Sequence, residues 1–493
     1  MNYKLKFLSL IICLMLMLPL VGCSDTGKAY IYFELPSSPL TLDPQTASLD
    51  QELLIVKNIF EGLLRKNDKG DIVCGAAESY NKNNLTYTFK IRENAFWSNG
   101  EPLTAHDFVF SFRRAVDPET KAPFVARLFS ISNAESIYNG NANIKTLGVS
   151  ATDDKTLVIK LNKEDALFEE TLTTSISMPC NESFFNESAG KYGLFSDNIL
   201  SNSSYKITRW RKDPFGIRLY KNDEYKGDFE AQNAAVFITC NPDEPVLEKL
   251  EKKNMDIAFI DCALTDDAEN LGLKTKSYQN ICWVLTLGNN FSKNMRVALS
   301  QLIGEEVFKE SLPTGYAPAY SIYPECISGG NEEYNISQYN PENAKKKYLQ
   351  EVARLDNQKF PSDIILYYYD NGNVKNVVTD IVGRWQSNFS AFVNIESVSD
   401  PTLIMSELQN PTYAMTLFPV SVDSNSVAEY LKKYGISYKG GSIKEIHSKI
   451  LESNNILPIM FQNTVIAHTP NLSSVSTEFG NGYIDFSFII KTE

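Results

Sequence analysis

The hydrophobic and polar positions of the chain follow two different periods. Residues 86–91 alternate between apolar and polar, which is typical of a half-buried β-strand. The apolar residues of 374–385 recur every three or four positions, as on one face of an amphipathic helix. Shorter helical stripes lie at 53–63 and 108–115. Because helices and strands are interleaved along the whole chain, the pattern predicts an α/β or mixed α+β protein.

Local signals place the ends of several elements. Asn99-Gly100 predicts a turn, and Thr104 is expected to cap the next helix with Asp107 three residues on. A later helix is predicted to begin at Pro341 behind Asn340. Further strands are predicted at Tyr30–Phe33, Thr156–Leu161, Tyr205–Trp210, Ile217–Tyr220, Asp256–Ile260, Cys282–Leu287, Leu457–Gln462 and Thr464–His468.

The amino terminus has the pattern of a bacterial lipoprotein signal peptide. Two lysines, at 4 and 6, precede an apolar run at 7–18 that is too short for a membrane span. The sequence Leu-Val-Gly-Cys at 20–23 resembles a lipobox, which predicts cleavage after residue 22 and lipidation of Cys23. The alternative is an ordinary signal peptide, or a signal anchor, with a chance cysteine. The lipobox predicts a soluble chain tethered on the extracytoplasmic face of the cell membrane, at the cell surface or in the periplasm.

Composition narrows the classes of function. A chain of 493 residues is large for one core and predicts two or three domains. Its formal net charge of −13 argues against a nucleic-acid partner. The six cysteines beyond residue 23 contain no CxxC pair, so a zinc or iron–sulfur site is not expected. Disulfides and free buried thiols both remain open for them.

The sequence contains few signals for catalysis. There are three histidines and no nucleophile elbow, HExxH motif, phosphate loop or dinucleotide fingerprint. His106 is expected at a solvent-exposed helix start, and His447 on the surface because its neighbours are lysine- and glutamate-rich. An enzyme with an unfamiliar motif is therefore the weakest hypothesis, and no cofactor or metal is expected.

One run of sequence carries a family resemblance. The segment 86–120 contains W-S-N-G-E-P at 97–102, T-A-H-D-F at 104–108 and D-P at 117–118. Together these motifs resemble the signature of the oligopeptide-type (family 5) solute-binding proteins of ABC importers. Supporting matches lie at 42–44, 58–63, 76–79, 294–299 and 457–459.

The resemblance implies a two-lobed periplasmic-binding-protein-like fold with an extra domain on the N-terminal lobe. After the signal peptide at 1–22, lobe I is expected at 23–58 with 167–277 and 467–493. The extra domain II is expected at 59–166, and lobe III at 278–466. A two-strand hinge would let the lobes close around a ligand, which needs no catalytic group.

The resemblance also implies ligand-binding residues. Asp423 matches the aspartate that meets the α-ammonium of the ligand in peptide-binding relatives, with backbone contacts expected around Pro419 and Ser421. Val420 and Ser424 depart from the aromatic residues of the family pattern. Further cleft candidates by position are Ser48, Asp50, Phe124, Arg127 and Trp283, the last of which could equally belong to the core.

The leading hypothesis is a monomeric lipid-anchored receptor that captures oligopeptides. It would deliver them to an ABC permease and its ATPase subunits. One alternative keeps the fold and binds a non-peptide solute such as a metal chelate, sugar or opine. Another is a surface interaction or signalling lipoprotein that is not coupled to transport.

Overall fold

The computed structural model describes residues 29–492 with several gaps. The gaps are 213, 242, 305–310, 328–338, 356–359, 361–362, 400–403, 405–406, 408–414, 423–426, 437–442 and 476–482. The signal segment at 1–22, Cys23, Asp423 and Ser424 therefore lie outside the described residues. Within the described ranges, no helix is both long enough and apolar enough to cross a membrane.

The strands of the described residues are numbered in chain order. They are β1 Tyr30–Glu34, β2 Leu64–Lys66, β3 Ile72–Cys74, β4 Ala77–Asn83, β5 Thr86–Ile91, β6 Val149–Asp153, β7 Thr156–Lys160, β8 Tyr205–Lys212, β9 Phe215–Lys221, β10 Ala235–Thr239, β11 Ile257–Ile260, β12 Lys274–Leu287, β13 Tyr316–Pro318, β14 Ile365–Tyr369, β15 Asn394–Val398, β16 Met415–Ser421, β17 Ile456–His468, β18 Leu472–Ser473 and β19 Ile490–Lys491.

The α-helices of the described residues are numbered in the same way. They are α1 Asp50–Ile59, α2 Ala105–Val116, α3 Ala134–Tyr138, α4 Phe168–Thr171, α5 Glu182–Glu187, α6 Val246–Glu251, α7 Thr265–Asn270, α8 Lys293–Ser300, α9 Pro341–Val352, α10 Lys375–Phe389, α11 Val427–Lys433 and α12 Ile443–Glu452.

The largest sheet has the order β15-β14-β16-β12-β17-β11-β1-β10-β9-β8, with β13 added beside β17. On its N-terminal side, β1 runs parallel to both β10 and β11. On its C-terminal side, β14 runs parallel to β15 and β16. The long strands β12 and β17 form an antiparallel pair between these two sides.

Only β12 and β17 extend through both sides of this sheet among the described strands. The first half of β12 pairs with the end of β17, which also pairs with β11 at residues 465–468. The second half of β12, at 281–287, pairs with β16. The transition between the two sides falls at residues 279–281 of β12, opposite 462–463 of β17, where the pairing of these strands shifts its register. The two sides are therefore joined through one strand pair.

A smaller antiparallel sheet, β4-β5-β7-β6, packs against helix α2. The carboxylate of Asp107 accepts hydrogen bonds from the amide and hydroxyl of Thr104 and, at 3.3 Å, from the indole of Trp97. The predicted turn is present, with Gly100 at a φ of 87° that glycine adopts freely. The signature motif thus holds the turn at 97–102 against the start of α2.

Three hydrophobic clusters hold the described residues together. The first joins the small sheet and α2 to the inner face of β1 and β8–β10. The second lies under the C-terminal side with α8–α10, and extends to α6 and β11. The third covers the opposite face with α11 and α12. Both faces of the C-terminal side are therefore buried, which explains the continuous apolar run of β12 at 281–285.

Most predicted elements are confirmed, with three differences. The helix at 50–59 ends before Leu63, which is buried outside it. The two strands predicted at 457–468 are one continuous strand. The surface position expected for His447 is wrong, because this side chain is only 2% exposed and packs beside Tyr323. The cysteines at 74, 180, 240, 262, 282 and 326 are all free thiols in the structure.

Candidate functional site

A cavity of about 250 Å³ lies where the two sides of the large sheet meet. We call it the central cavity. On the N-terminal side, its wall is formed by the end of β1, the start of α1 and the end of β11. On the C-terminal side, the wall is formed by the end of β16. The middle parts of β12 and β17 form the floor. The lining residues are Leu35, Pro36, Asp50, Gln51, Leu54, Phe259, Ile260, Asp261, Cys262, Asn280, Ile281, Ser421, Val422, Gln462, Asn463, Thr464 and Val465.

Asn280 organises the floor of the central cavity. The register of β12 against β17 shifts between Gln279 and Ile281, so Asn280 occupies an irregularity in the pairing. Its carbonyl accepts the amide of Val422 at 2.8 Å, and its Oδ1 accepts the amide of Thr464 at 3.1 Å. Through its main-chain carbonyl and its side chain, this one buried residue therefore ties β12 to both neighbouring segments.

The start of helix α1 forms one wall of the cavity. Glu52 is buried, and its carboxylate accepts hydrogen bonds from the backbone amides of 40–41 and 48–49 at 2.9 to 3.1 Å. These bonds satisfy amides at the helix start and fix the preceding loop against it. Asp50 lies in the same first turn, and its exposed side chain lines the cavity.

The end of β11 places a second carboxylate at the cavity. The Oδ1 atom of Asp261 accepts the amide of Ala263 at 2.8 Å, which caps the short 3-10 helix Cys262–Leu264. Its Oδ2 atom accepts a hydrogen bond of 2.8 Å from the side-chain amide of Asn373. Because Asn373 lies in the turn between β14 and α10, this bond joins the two sides of the sheet.

Cys262 is next to Asp261 in the wall but is not activated. Burial, together with the negative charge of Asp261, raises the pKa of its thiol to about 11. A thiol with a raised pKa stays protonated at neutral pH and is a poor nucleophile. Its backbone instead makes a close contact with Gly315, where an added Cβ would lie 2.8 Å from the Cys262 carbonyl carbon.

The end of β16 contributes the cavity wall on the C-terminal side. Ser421 is opposite Ile281 in the sheet register, and its carbonyl accepts a hydrogen bond from Lys433 at 2.8 Å. Pro419 is half-buried in the same strand, opposite Trp283, and is not among the lining residues. Val420 is fully buried in the third cluster, so its side chain packs into the core.

Trp283 does not line the cavity but contacts a residue that does. The indole is fully buried and stacks on Tyr369, with 6.1 Å between ring centroids. Its Nε1 donates a 2.8 Å hydrogen bond to Oε1 of Gln462, which does line the cavity. The structure therefore places Trp283 one side chain behind the wall.

The other predicted site residues lie apart from the central cavity. Ser48 is exposed just before α1, where its amide donates to Glu52. Phe124 and Arg127 lie beyond helix α2, with the guanidinium carbon of Arg127 5.2 Å from the Phe124 ring centroid. Of the candidates from sequence, only Asp50 and Ser421 line the cavity among the described residues.

The wall combines apolar side chains, such as Leu54, Phe259 and Ile281, with an acidic and amide-rich polar part. The charged side chains among the described lining residues are Asp50 and Asp261, while Asn280, Gln462 and Asn463 supply amide groups. No group of three or more potential metal-ligating side chains occurs in the part of the chain that the structure describes. A cavity of this kind suits a ligand with a positively charged group and several hydrogen-bonding atoms.

Sequence reasoning missed most of these residues. Asp261 follows a predicted strand directly, and polar side chains are expected to bind ligands where strands end at a cleft. The polar run 462–464 interrupts β17, which is apolar on both sides of it, and Asn280 lies directly before the apolar run of β12 that begins at Ile281. That interruption is the available signal, because a polar residue in a buried strand needs a partner or a function.

Comparison with known proteins identifies the class. The family model described as bacterial extracellular solute-binding proteins, family 5, middle region, matches residues 71–442. The chain therefore belongs to family 5 of the bacterial extracellular solute-binding proteins, and it is a binding protein and not an enzyme.

Individual relatives agree with this. The periplasmic murein peptide-binding protein MppA of Escherichia coli (strain K12) is 29% identical over 402 residues, which cover 76% of this chain and 72% of MppA. The oligopeptide-binding protein OppA of Bacillus subtilis (strain 168) is 25% identical over 428 residues, covering 83% of this chain and 78% of that protein.

A solved structure shows the shared fold. The crystal structure of Haemophilus influenzae OppA in complex with RPPGFSPFR superposes with a TM-score of 0.76, at 21% identity, over 94% of this chain and 99% of that one. The predicted two-lobed α/β architecture of the periplasmic binding proteins is thereby confirmed.

Proposed function

We propose that this protein is a lipid-anchored receptor that captures oligopeptides outside the cytoplasmic membrane and delivers them to an ABC-type importer. The observation that carries the proposal is the central cavity, an acidic pocket between two sides of a sheet that one strand pair joins. Membership of family 5 supports it, as do relatives named as murein peptide-, oligopeptide- and dipeptide-binding proteins.

The peptide amino terminus is the group that suits the acidic wall. Asp50 and Asp261 line the cavity, and Asp423 follows Val422 in the chain by one residue. A carboxylate and an α-ammonium group form a charge-assisted hydrogen bond, which is about twice as strong as a neutral one. We assign Asp423 as the direct partner of the ammonium, with Asp50 and Asp261 adding negative potential.

The end of β16 suits the peptide backbone. A strand that ends at a cleft can pair with an extended peptide through main-chain hydrogen bonds, which accept many side chains. Ser421 is at that end, and Pro419 two residues earlier has no amide to donate. The backbone contacts of a bound peptide therefore centre on Ser421 rather than Pro419.

The proposed domains are those that the family resemblance implies. Lobe I comprises 23–58, 167–277 and 467–493, domain II comprises 59–166, and lobe III comprises 278–466. The proposed hinge lies at residues 279–281 of β12 and 462–463 of β17, between the two sides of the large sheet. Closure about this hinge couples binding to a change of shape that a permease can recognise.

Attachment to the membrane is proposed through Cys23. Diacylglycerylation of this cysteine after cleavage of 1–22 holds the receptor near its permease and the ATPase subunits. The sequence pattern at 4–23 supports this assignment.

A non-peptide solute is the second candidate. The central cavity, at about 250 Å³, is slightly smaller than the ~300–1,000 Å³ of typical small-molecule sites. A single compact cationic solute would therefore also fit this space.

Native mass spectrometry separates the two candidates. The chain from Ser24 onward is purified gently, weighed intact, and then denatured to identify released molecules. A mixture of short peptides is expected. One defined non-peptide molecule would replace the peptide assignment with the second candidate. An empty protein whose melting temperature does not change with a peptide library would contradict the peptide assignment and favour an interaction role outside transport.

A further inference from the structure

The N-terminal side of the large sheet exposes aromatic and cationic residues on its outer face. Its inner face carries Ile31, Phe33 and Leu219 into the first hydrophobic cluster. Alternation places the next residues of each strand on the opposite face. There Tyr30 and Tyr32 are each 40% exposed, although large aromatic side chains are usually well buried.

The sheet register aligns these residues in rows. Tyr32 is opposite Phe237, Phe237 is opposite Arg218, and Arg218 is opposite Arg209. The ring centroids of Tyr32 and Phe237 are 5.3 Å apart, and the guanidinium carbon of Arg218 is 5.5 Å from the Phe237 centroid. The neighbouring row brings Tyr220 within 6.1 Å of Phe237. We call Tyr32, Tyr220, Phe237, Arg209, Arg211 and Arg218 the arginine face.

The three arginines of this face repel one another. Partial desolvation and the charges of Arg211 and Arg218 lower the pKa of Arg209. Within the described ranges, none of the three forms an ion pair with a carboxylate, in a chain whose net charge is −13. Like charges held together without a compensating acid create a local positive potential that attracts an anionic partner.

The position of the face relative to the amino terminus indicates which partner. Strand β1 begins at Tyr30, seven residues after Cys23. A fully extended chain spans at most ~3.6 Å per residue, so the proposed lipid attachment is within about 25 Å of Tyr30. The start of β1 is fixed to the fold, because Lys491 donates a 2.8 Å hydrogen bond to the Tyr30 carbonyl. The anchor therefore keeps the arginine face near the bilayer.

We propose that the arginine face docks on the surface of an anionic phospholipid bilayer. Guanidinium groups bind phosphate oxygens bidentately, and tyrosine rings are favoured at membrane interfaces, where one end of the ring is apolar and the other is wet. Clustered basic residues near an anchor add to membrane attraction. Docking fixes the orientation of the receptor relative to the bilayer, which attachment at a single point does not.

The test measures binding of the unlipidated chain to vesicles. The chain from Ser24 onward, which keeps every described residue, is co-sedimented with vesicles of equimolar phosphatidylglycerol and phosphatidylcholine, and with phosphatidylcholine alone. Binding is expected only to the anionic vesicles and is expected to weaken as salt is added. Replacement of Arg209, Arg211 and Arg218 by glutamine should weaken it on the order of 100-fold, since each basic residue near the surface contributes severalfold.

A matched variant controls for the change in total charge. Lys345, Lys346 and Lys375 are exposed on α9 and α10, at the other side of the sheet, and their replacement by glutamine also removes three charges. This variant should bind the anionic vesicles as the unsubstituted chain does. An equal loss of vesicle binding in both triple variants would overturn the proposal. So would failure of the unsubstituted chain to bind anionic vesicles, and in that case a protein would be the expected partner of the arginine face.

This inference rests on the proposed anchor at Cys23 but is tested separately from peptide capture. The arginine face lies away from the central cavity, so peptide binding by the arginine variant should be unchanged. Retained peptide binding and an unchanged melting temperature show that the variant is folded. Loss of vesicle binding then concerns the arginine face alone.

Discussion

The Oδ2 atom of Asp261, in the wall of the central cavity, accepts a 2.8 Å hydrogen bond from the side chain of Asn373. Asp261 follows β11 on the N-terminal side of the large sheet, and Asn373 follows β14 on the C-terminal side. Opening the cavity by rotation about β12 and β17 would separate these two atoms. The bond therefore belongs to the conformation in which the two sides are close, and it biases the equilibrium towards that conformation.

Replacement of Asn373 by alanine should weaken ligand binding severalfold. A neutral-to-charged side-chain hydrogen bond contributes about 1.5–3 kcal/mol, which sets the upper limit of the loss. Titration calorimetry measures the affinity, and X-ray scattering should show a larger radius of gyration. Asn162→Ala removes a comparable side-chain bond to the Phe129 carbonyl, far from the cavity, and should change neither quantity. Unchanged affinity in the Asn373→Ala variant would show that this hydrogen bond does not stabilise the closed conformation.

Gly315 should be more sensitive to alanine than Gly190. Both glycines have left-handed backbone angles, with φ of 80° in each, so both substitutions cost about 1–2 kcal/mol of backbone strain. At Gly315 the added Cβ also meets the backbone of Cys262 at 2.8 Å, whereas at Gly190 nothing lies within 4 Å. Gly315→Ala should therefore lower ligand affinity by about tenfold or more, while Gly190→Ala changes stability alone. Equal affinities in the two variants would contradict a close approach of Gly315 in the binding-competent state.

The fluorescence of Trp283 should report ligand binding. Its indole donates to Gln462, so a ligand that contacts Gln462 changes the polar surroundings of the ring. The chain has four tryptophans, and the others, at 97, 210 and 385, do not line the central cavity. A ligand-induced change in emission is expected in the unsubstituted chain and should disappear in Trp283→Phe. A signal that persists in Trp283→Phe but not in Trp210→Phe would place the ligand elsewhere.

The buried His447 should make stability depend on pH. Burial lowers the pKa of its imidazole to about 4 from 6.5. Between these values the unfolded state binds a proton that the folded state does not, so stability is complete above pH 6.5 and falls as the pH falls towards 4. The slope for one such group approaches ~1.4 kcal/mol per pH unit, or about 3 kcal/mol over the window.

The His447 contribution is measured as a difference between variants. Chemical unfolding across this pH range should show a shallower pH dependence for His447→Phe than for the unsubstituted chain. His106→Gln is the matched control, because the side chain of His106 is 63% exposed, and this variant should keep the original slope. Identical slopes in all three proteins would show that His447 titrates normally in the folded state.

Local sequence patterns predicted individual helices and strands well, but they predicted contacts between distant segments poorly. The capped start of α2 followed from Thr104 and Asp107, since the two residues are three positions apart and interact within one turn. The continuity of β17 through Asn463 did not follow, because pairing with β12 and β13 overrides the polar residues at 462–464. His447 was misplaced for a similar reason. Its helix is charged in sequence, but one face is buried by Tyr323 from a distant segment.

The lining of the central cavity was predicted only in part. Asp50 and Ser421 were found through their positions relative to family motifs, and both line the central cavity. Asp261 and Asn280 were not found, because their roles depend on contacts with Asn373 and Thr464 that are remote in sequence. Contacts between distant segments depend on the fold and not on a local period.

Capture of peptides by their free amino terminus is the central claim, and a paired pull-down tests it most directly. The chain from Ser24 onward is incubated with a random pool of tri- to pentapeptides, and bound species are identified by native mass spectrometry. The same pool is then offered after amino-terminal acetylation, which removes the ammonium charge. Asp423→Ala is compared with Asp154→Ala, an acid that is 80% exposed on the small sheet. We predict adducts from the free pool alone, retained by the Asp154 variant and lost in the Asp423 variant. Equal capture of the acetylated pool, or no capture of either, would contradict the claim.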